Sequence, residues 1–171
     1  AVGEAFDKVA KHYGFGYPGG LVIDKLAEKG DSEVFTFSMP NLYKGDHRYD
    51  LSYSGLKNAV CNHLEKYRTK EGPASAENIA ASFRRTAIDI LLRAVMRAVE
   101  DTGIKTLVAG GGVAANSLLR RRLAENPDLK VVFPPLELCG DNAAMVAALG
   151  YHYLARGERS PLDEVASARV T

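Results

Sequence analysis

The sequence predicts an α/β protein with a helix-rich first part, to about residue 103, and an alternating strand–helix second part over 104–171. Three observations carry this prediction. Apolar residues recur at helical spacing through most of the first hundred positions. From Lys105 onward the order becomes strand, helix, strand, helix, the pattern of a parallel layer. Hydrophobic content of 46% and charged content of 25% suit a chain of 171 residues that builds a core.

The elements follow in order. "AVGEAFDKVAKHYGF" puts Ala5, Phe6, Val9 and Tyr13 on one helical stripe, and Gly14 and Gly16 end it. "YPGG" is a turn, and Ile23, Leu26 and Ala27 then suggest a short helix ending at Gly30. "EVFTFSMP" alternates and predicts a strand. A polar segment, "NLYKGDHRYD", leads to a helix carrying Leu56, Val60 and Leu64, which Ser54 could cap. "KEGPAS" is a linker. A long helix is expected from about Ala76 to Asp101, with Ile79, Phe83, Ala87, Leu91 and Val95 on one face. "KTLVAG" is a short buried strand, "AANSLLRRRLAEN" a helix, "LKVVFPP" a second strand and "DNAAMVAALGYHYLARG" the last helix.

Several classes are disfavoured. A formal net charge of +1 means that any nucleic-acid contact must come from local patches. No apolar run approaches a bilayer span and no signal-peptide pattern opens the chain, so a soluble, cytoplasmic protein without membrane contact is expected. Cys61 and Cys139 form no CxxC and are read as reduced, buried thiols. His12, His47, His63 and His152 offer no pair at helical metal-ligand spacing.

Ligands of a parallel layer sit beyond the carboxyl ends of its strands. Gly110, Gly111 and Gly112 fall there and open a helix. Such a start offers free N–H groups, and three glycines leave a flat surface for a base or a phosphate. A tight strand-to-helix turn explains them equally. Asn116 could read an adenine edge or simply bond the backbone. Asp141 could be a hard metal ligand, with a helix N-cap as its ordinary role. Asp7 and Asp24 flank "YPGG" and could hold ribose hydroxyls, or be surface acids beside Lys8 and Lys25. Arg120, Arg121 and Arg122, with Arg84 and Arg85, could meet an RNA backbone, although solvated helix faces account for them as well.

Taken together, "GEAFDKVAK", "YPGG", "SYSGLKNAV", "VAGGGVAANSLLRRRL" and "DNAAMVA", in this order, resemble the tRNA threonylcarbamoyladenosine synthase (TsaD) family. Some of its members once carried the label O-sialoglycoprotein endopeptidase. The resemblance spans nearly the whole chain. It implies the second lobe of an actin-like ATPase (RNase H-like) fold with a helix-rich insertion. The family's HxxxH metal motif and first phosphate loop would lie upstream, so the chain is expected to be a fragment, inactive alone. By this resemblance Asp7, Gly20, Asp24 and Asn116 bind the nucleotide-bearing substrate. Gly110, Gly111 and Gly112 leave room for its adenosine, and Asp141 is one metal ligand beside two upstream histidines. Two departures stand out: three glycines follow Ala109, and Gly140 replaces the usual Thr before Asp141. Ser54 and Lys57 of "SGLK" receive no role.

The resemblance further implies transfer of a threonylcarbamoyl group from threonylcarbamoyl-AMP, derived from ATP, to the adenosine beside the tRNA anticodon. It implies one Fe²⁺ or Zn²⁺ per full-length subunit, tRNA as substrate and companion subunits as partners. A homo-oligomer of the chain is one further option, and the alternatives to transfer are a non-catalytic nucleotide-binding module, an ATPase or sugar-kinase relative on the same fold and, last, a metalloprotease.

Overall fold

A computed structural model describes residues 1–40, 48–67 and 75–165. It is mostly helical, with one small sheet. Helix α1, Val2–Tyr13, buries Ala5, Phe6, Val9 and Ala10, the stripe that its spacing predicts. It stops at Gly14, whose φ of 70° is left-handed and whose N–H returns to the carbonyls of Ala10 and Lys11. Helix α2, Gly19–Ala27, turns back against α1 and buries Ile23 and Ala27. The approach is too close for a side chain at its first residue. A Cβ on Gly19 would stand 2.6 Å from Asp7 Cα and 2.7 Å from the Phe6 carbonyl.

Residues 33–40 do not form the expected strand. Their alternation is real, since Phe35 and Phe37 are buried while Thr36 and Ser38 are exposed. What is missing is a ladder. The Phe35 N–H donates to Ser82 Oγ at 3.2 Å, and its carbonyl accepts from Arg85 Nη2 at 3.3 Å. Side chains of the next-but-one helix thus satisfy backbone groups that a neighbouring strand would otherwise pair.

Helix α3, Ser54–Tyr67, places Leu56 and Val60 in the core. Ser54 is its first helical residue rather than the residue before it. Helix α4, Ala76–Thr102, is capped by Ser75, whose side chain accepts from the Asn78 N–H at 3.1 Å. It ends at Gly103, again left-handed at φ 68°. The expected linker 70–75 lies outside the described residues except for this cap, as does 41–47 of the polar segment.

Helix α4 serves two cores. Ile79, Phe83 and Ala87 pack with α1, α2, α3 and Phe35, and the Phe6 and Phe83 rings meet at 4.9 Å between centroids. One turn further on, Ile88, Leu91 and Leu92 belong to a second cluster with Leu118, Leu119, Leu123, Leu107 and Val131.

Strands β1, Thr106–Val108, and β2, Lys130–Val132, pair in parallel with Thr106 opposite Lys130. A parallel pair needs a crossover, and helix α5, Ser117–Ala124, supplies it. The sequence predicts a buried first strand, and it is not buried; nor is the second. Only their middle residues, Leu107 and Val131, are half-buried against the α5 cluster, whereas Val108 and Val132 stay exposed. The two strands pack on the α4–α5 cluster by one face. Helix α6, Ala143–Ala155, is apolar around its circumference yet buries no residue. No helix of the described residues is long and apolar enough to cross a membrane.

Candidate functional site

The corner between α1 and α2 places Asp7 and Gly20 together. Asp7 Oδ1 accepts the Gly19 N–H at 2.9 Å, which docks the start of α2 onto α1. Its second oxygen has no partner among the described residues. Helix α2 has no side-chain cap, and the N–H groups of Gly20 and Leu21 lie in its first turn without an intrahelical acceptor. The space over Gly20 is open, with no atom within 4 Å of where a Cβ would be.

Asp24 stands one turn after Gly20 on the same face of α2. It is not a loose surface acid. Its Oδ1 accepts from Arg84 Nη1 at 2.8 Å and from Asn116 Nδ2 at 2.9 Å, with Ser117 Oγ at 3.1 Å. Its Oδ2 accepts the Ser117 N–H at 3.0 Å. Glu28, one turn further along α2, accepts from Arg84 Nη1 at 2.6 Å and from Ser117 Oγ at 3.0 Å. The Arg84 guanidinium and then the Ser117 hydroxyl hold the Glu28 carboxyl below its usual range. Asn116, 8% exposed, caps α5 by accepting the Leu119 N–H at 3.0 Å. Three helices therefore meet at one polar knot, in which Asp24 and Asn116 are partners 92 positions apart in sequence.

The glycine run leaves β1 as anticipated, but it opens a single 3-10 turn, Gly112–Ala115, rather than an α-helix. Gly111 has φ 84°, which excludes other residues without strain. No atom lies within 4 Å of the Cβ positions of Gly110, Gly111 or Gly112, and all three are exposed. The turn contacts α1, with Val113 Cγ2 3.8 Å from the Cβ position of Gly3. Asp7 is thus bonded to Gly19 beside Gly20, Asp24 to Asn116, and the turn after the glycine run rests on the first turn of α1.

Asp141 shares no hydrogen bond with these residues, although Arg120 links Cys139, two residues before it, to the Ala114 carbonyl of the glycine turn. Asp141 is exposed, and its side chain makes no hydrogen bond or ion pair among the described residues. Nor is it the cap of α6. That role belongs to Asn142, whose side chain accepts the Met145 N–H at 3.0 Å. Among the described residues no group of three or more His, Cys, Asp or Glu could hold a metal ion.

The arginines divide. Arg84 is buried in the knot. Arg120 donates to the carbonyls of Ala114 and Pro134, at 2.6 and 2.8 Å, and lies over the Phe133 ring, so it braces the turn after β1. Arg122 pairs with Asp89 at 3.0 Å and Arg85 pairs with Glu33. Arg121 is exposed and makes no such bond among the described residues. Ser54 and Lys57 line a polar hollow of about 160 Å³ with Glu4, Lys8 and Tyr53. Cys139 is buried as expected, whereas Cys61 is half-buried, and burial pushes its thiol up.

Glu28 and Ser117 are not legible as site residues in the sequence, and Arg84 reads there as an RNA contact or a solvated residue rather than as the buried partner of Asp24. For Arg84 a signal existed. It lies four residues from both Ala80 and Ile88, so a charged side chain occupies the buried face of α4.

Residues 1–148 match the family described as TsaD, tRNA N6-adenosine threonylcarbamoyltransferase. Similar curated proteins carry the same description. One from Treponema denticola is 59% identical over 170 residues, covering 99% of this chain and 50% of the relative. One from Treponema pallidum (strain Nichols) is 58% identical over 160 residues, covering 94% and 46%. One from Borreliella afzelii is 46% identical over 169 residues, covering 98% and 48%. The chain spans about half the length of the curated relatives it matches.

Proposed function

The chain belongs to the TsaD family of tRNA N6-adenosine threonylcarbamoyltransferases, and on that premise we propose that it carries the half-site that grips the adenosine portion of threonylcarbamoyl-AMP. The observation behind this reading is the Asp24–Asn116 contact, at 2.9 Å, one turn from the open Gly20 surface. A carboxylate, a carboxamide and bare helix-start N–H groups on one surface suit ribose hydroxyls, a base edge and a phosphate in turn. Asp7 contributes an oxygen with no other partner among the described residues. The exposed glycines let a planar base lie against backbone.

In the reaction proposed for the whole protein, the exocyclic amine of a tRNA adenosine attacks the carbamoyl carbon and AMP leaves. The part of this chain in that step is to hold the leaving group. Fixing the adenylate turns an encounter of two molecules into a positioned one and favours departure of AMP along a defined path. No side chain here needs to be the nucleophile. On the same reading the chain is one lobe of an actin-like fold.

A metal fits this chain only in part. Asp141 offers an unengaged carboxylate, but no set of three donors exists among the described residues, and a lone carboxylate does not retain a divalent ion. We assign no step to a metal. This donor count favours a second reading for the chain by itself, a nucleotide-binding module without transfer.

Calorimetric titration with AMP, without and with Fe²⁺ or Zn²⁺, tests the proposal. Saturable 1:1 binding that ignores the metal is expected. Absence of AMP binding would sink the half-site reading.

A further inference from the structure

Resting on that nucleotide-site reading, we infer that Arg84 is a positioning residue which aims Asp24 so that a single acceptor direction, on Oδ2, remains for one ribose hydroxyl. The Arg84 side chain is 6% exposed. Among the described residues all its hydrogen bonds leave from Nη1, to the Asp24 carbonyl at 3.2 Å, Asp24 Oδ1 at 2.8 Å, Glu28 Oε1 at 2.6 Å and Ser117 Oγ at 3.0 Å. Its Nε is buried with no partner among them. One nitrogen thus faces four oxygens while another N–H is wasted. Burying a guanidinium in this way is a poor source of stability, since a well-packed apolar side chain often does as well or better. What the arrangement does achieve is orientation.

A carboxylate has about four acceptor directions, two on each oxygen. Arg84 and Asn116 fill the two directions on Asp24 Oδ1, and the single Ser117 hydroxyl proton is shared between that oxygen and Glu28. Among the described residues Oδ2 takes only the Ser117 N–H and keeps one. The Asn116 carboxamide is in the same state. Its oxygen accepts from Leu119 and one Nδ2 hydrogen goes to Asp24, so one Nδ2 hydrogen remains for a ligand. Without Arg84, Asp24 could rotate about its side-chain torsions. Its Oδ1 would lose the charged donor, and Asn116 would lose its fixed acceptor.

The test is calorimetric titration of the whole chain with AMP and with 2′,3′-dideoxy-AMP, using wild type, Arg84→Met and Arg84→Lys. Circular dichroism confirms that each variant is folded. A hydroxyl donated to a carboxylate should make wild type bind AMP about tenfold more tightly than the dideoxy analogue. Arg84→Met should bring that ratio to about one, because the hydroxyl would meet an unaimed carboxylate. Arg84→Lys should restore most of it, since an ammonium can supply the donors that Nη1 now supplies. A residue that merely packs would weaken both ligands alike and preserve the ratio. A folded Arg84→Met that keeps the tenfold preference therefore overturns the inference and leaves the nucleotide site standing. Equal binding of both ligands by wild type overturns the hydroxyl contact, and with it the aiming role, but not the site. Failure of wild type to bind either ligand removes the site itself.

Discussion

Replacing Asp24 with Ala should cost more stability than replacing the arginine it holds. Arg84 is charged and its side chain is 6% exposed, whereas that of Asp24 is 17% exposed. Asp24→Ala leaves the guanidinium buried with Glu28, 49% exposed, as its remaining carboxylate. Removing one partner of a buried pair costs roughly 3–5 kcal/mol, and survival of Glu28 puts this case at the lower end, about 3 kcal/mol. For a chain of this size that corresponds to a fall of roughly 6–12 °C in Tm. Arg84→Met removes the charge together with its unpartnered Nε, and the released Asp24 carboxylate, 17% exposed, can turn toward water. We expect it to cost about 1 kcal/mol or less. The double variant then buries no orphaned charge and should be more stable than Asp24→Ala alone by about 2 kcal/mol. Urea unfolding followed by circular dichroism at pH 7 closes the cycle. The reasoning is refuted if Asp24→Ala lies within about 0.5 kcal/mol of wild type, or if adding Arg84→Met lowers its stability further.

Three other outcomes follow from the geometry. A Cβ on Gly30 would sit 2.0 Å from the Glu77 carbonyl oxygen and 2.3 Å from its carbon, both backbone, so Gly30→Ala should destabilise by about 2–3 kcal/mol in a thermal melt. Gly20→Ala meets no atom within 4 Å and should leave the melting temperature unchanged while weakening AMP in titration. Hydrogen bonds from Arg48 and then Tyr49 hold Asp101 down at about 2, below its ordinary 3.8. A carboxyl lowered on folding contributes stability above its unfolded value, and this is lost as pH falls from about 4 toward 2. Asp101→Asn should therefore flatten the acid limb of a stability–pH curve in that window, and an unchanged limb would show that the pair contributes nothing.

Much of this protein can be read from local sequence because helices are local. The stripe of Ala5, Phe6 and Val9, the left-handed stops at Gly14 and Gly103 and the start of α4 behind Ser75 all depend on residues within a turn or two of one another. The order of strand and helix after Lys105 likewise predicted the parallel pairing of β1 with β2. Residues of the candidate site could be named from ordered motifs, and among them Asp24 bonds Asn116 while Asp7 bonds Gly19 beside Gly20. Local reading failed where a partner from elsewhere decided the outcome. Alternation in 33–40 could not show that Ser82 and Arg85 would take the Phe35 backbone groups in place of a strand. Apolar residues in β1, β2 and α6 could not reveal that Val108 and Val132 stay exposed and that α6 buries no residue, because burial depends on what lies opposite. Nor could Asp24 beside Lys25 announce a bond to Asn116. Sequence settles which groups are present and how a helix orients them. Only tertiary packing brings Arg84 of α4 between Asp24 of α2 and Ser117 of α5, and so determines which oxygens are already spent and which remain for a ligand.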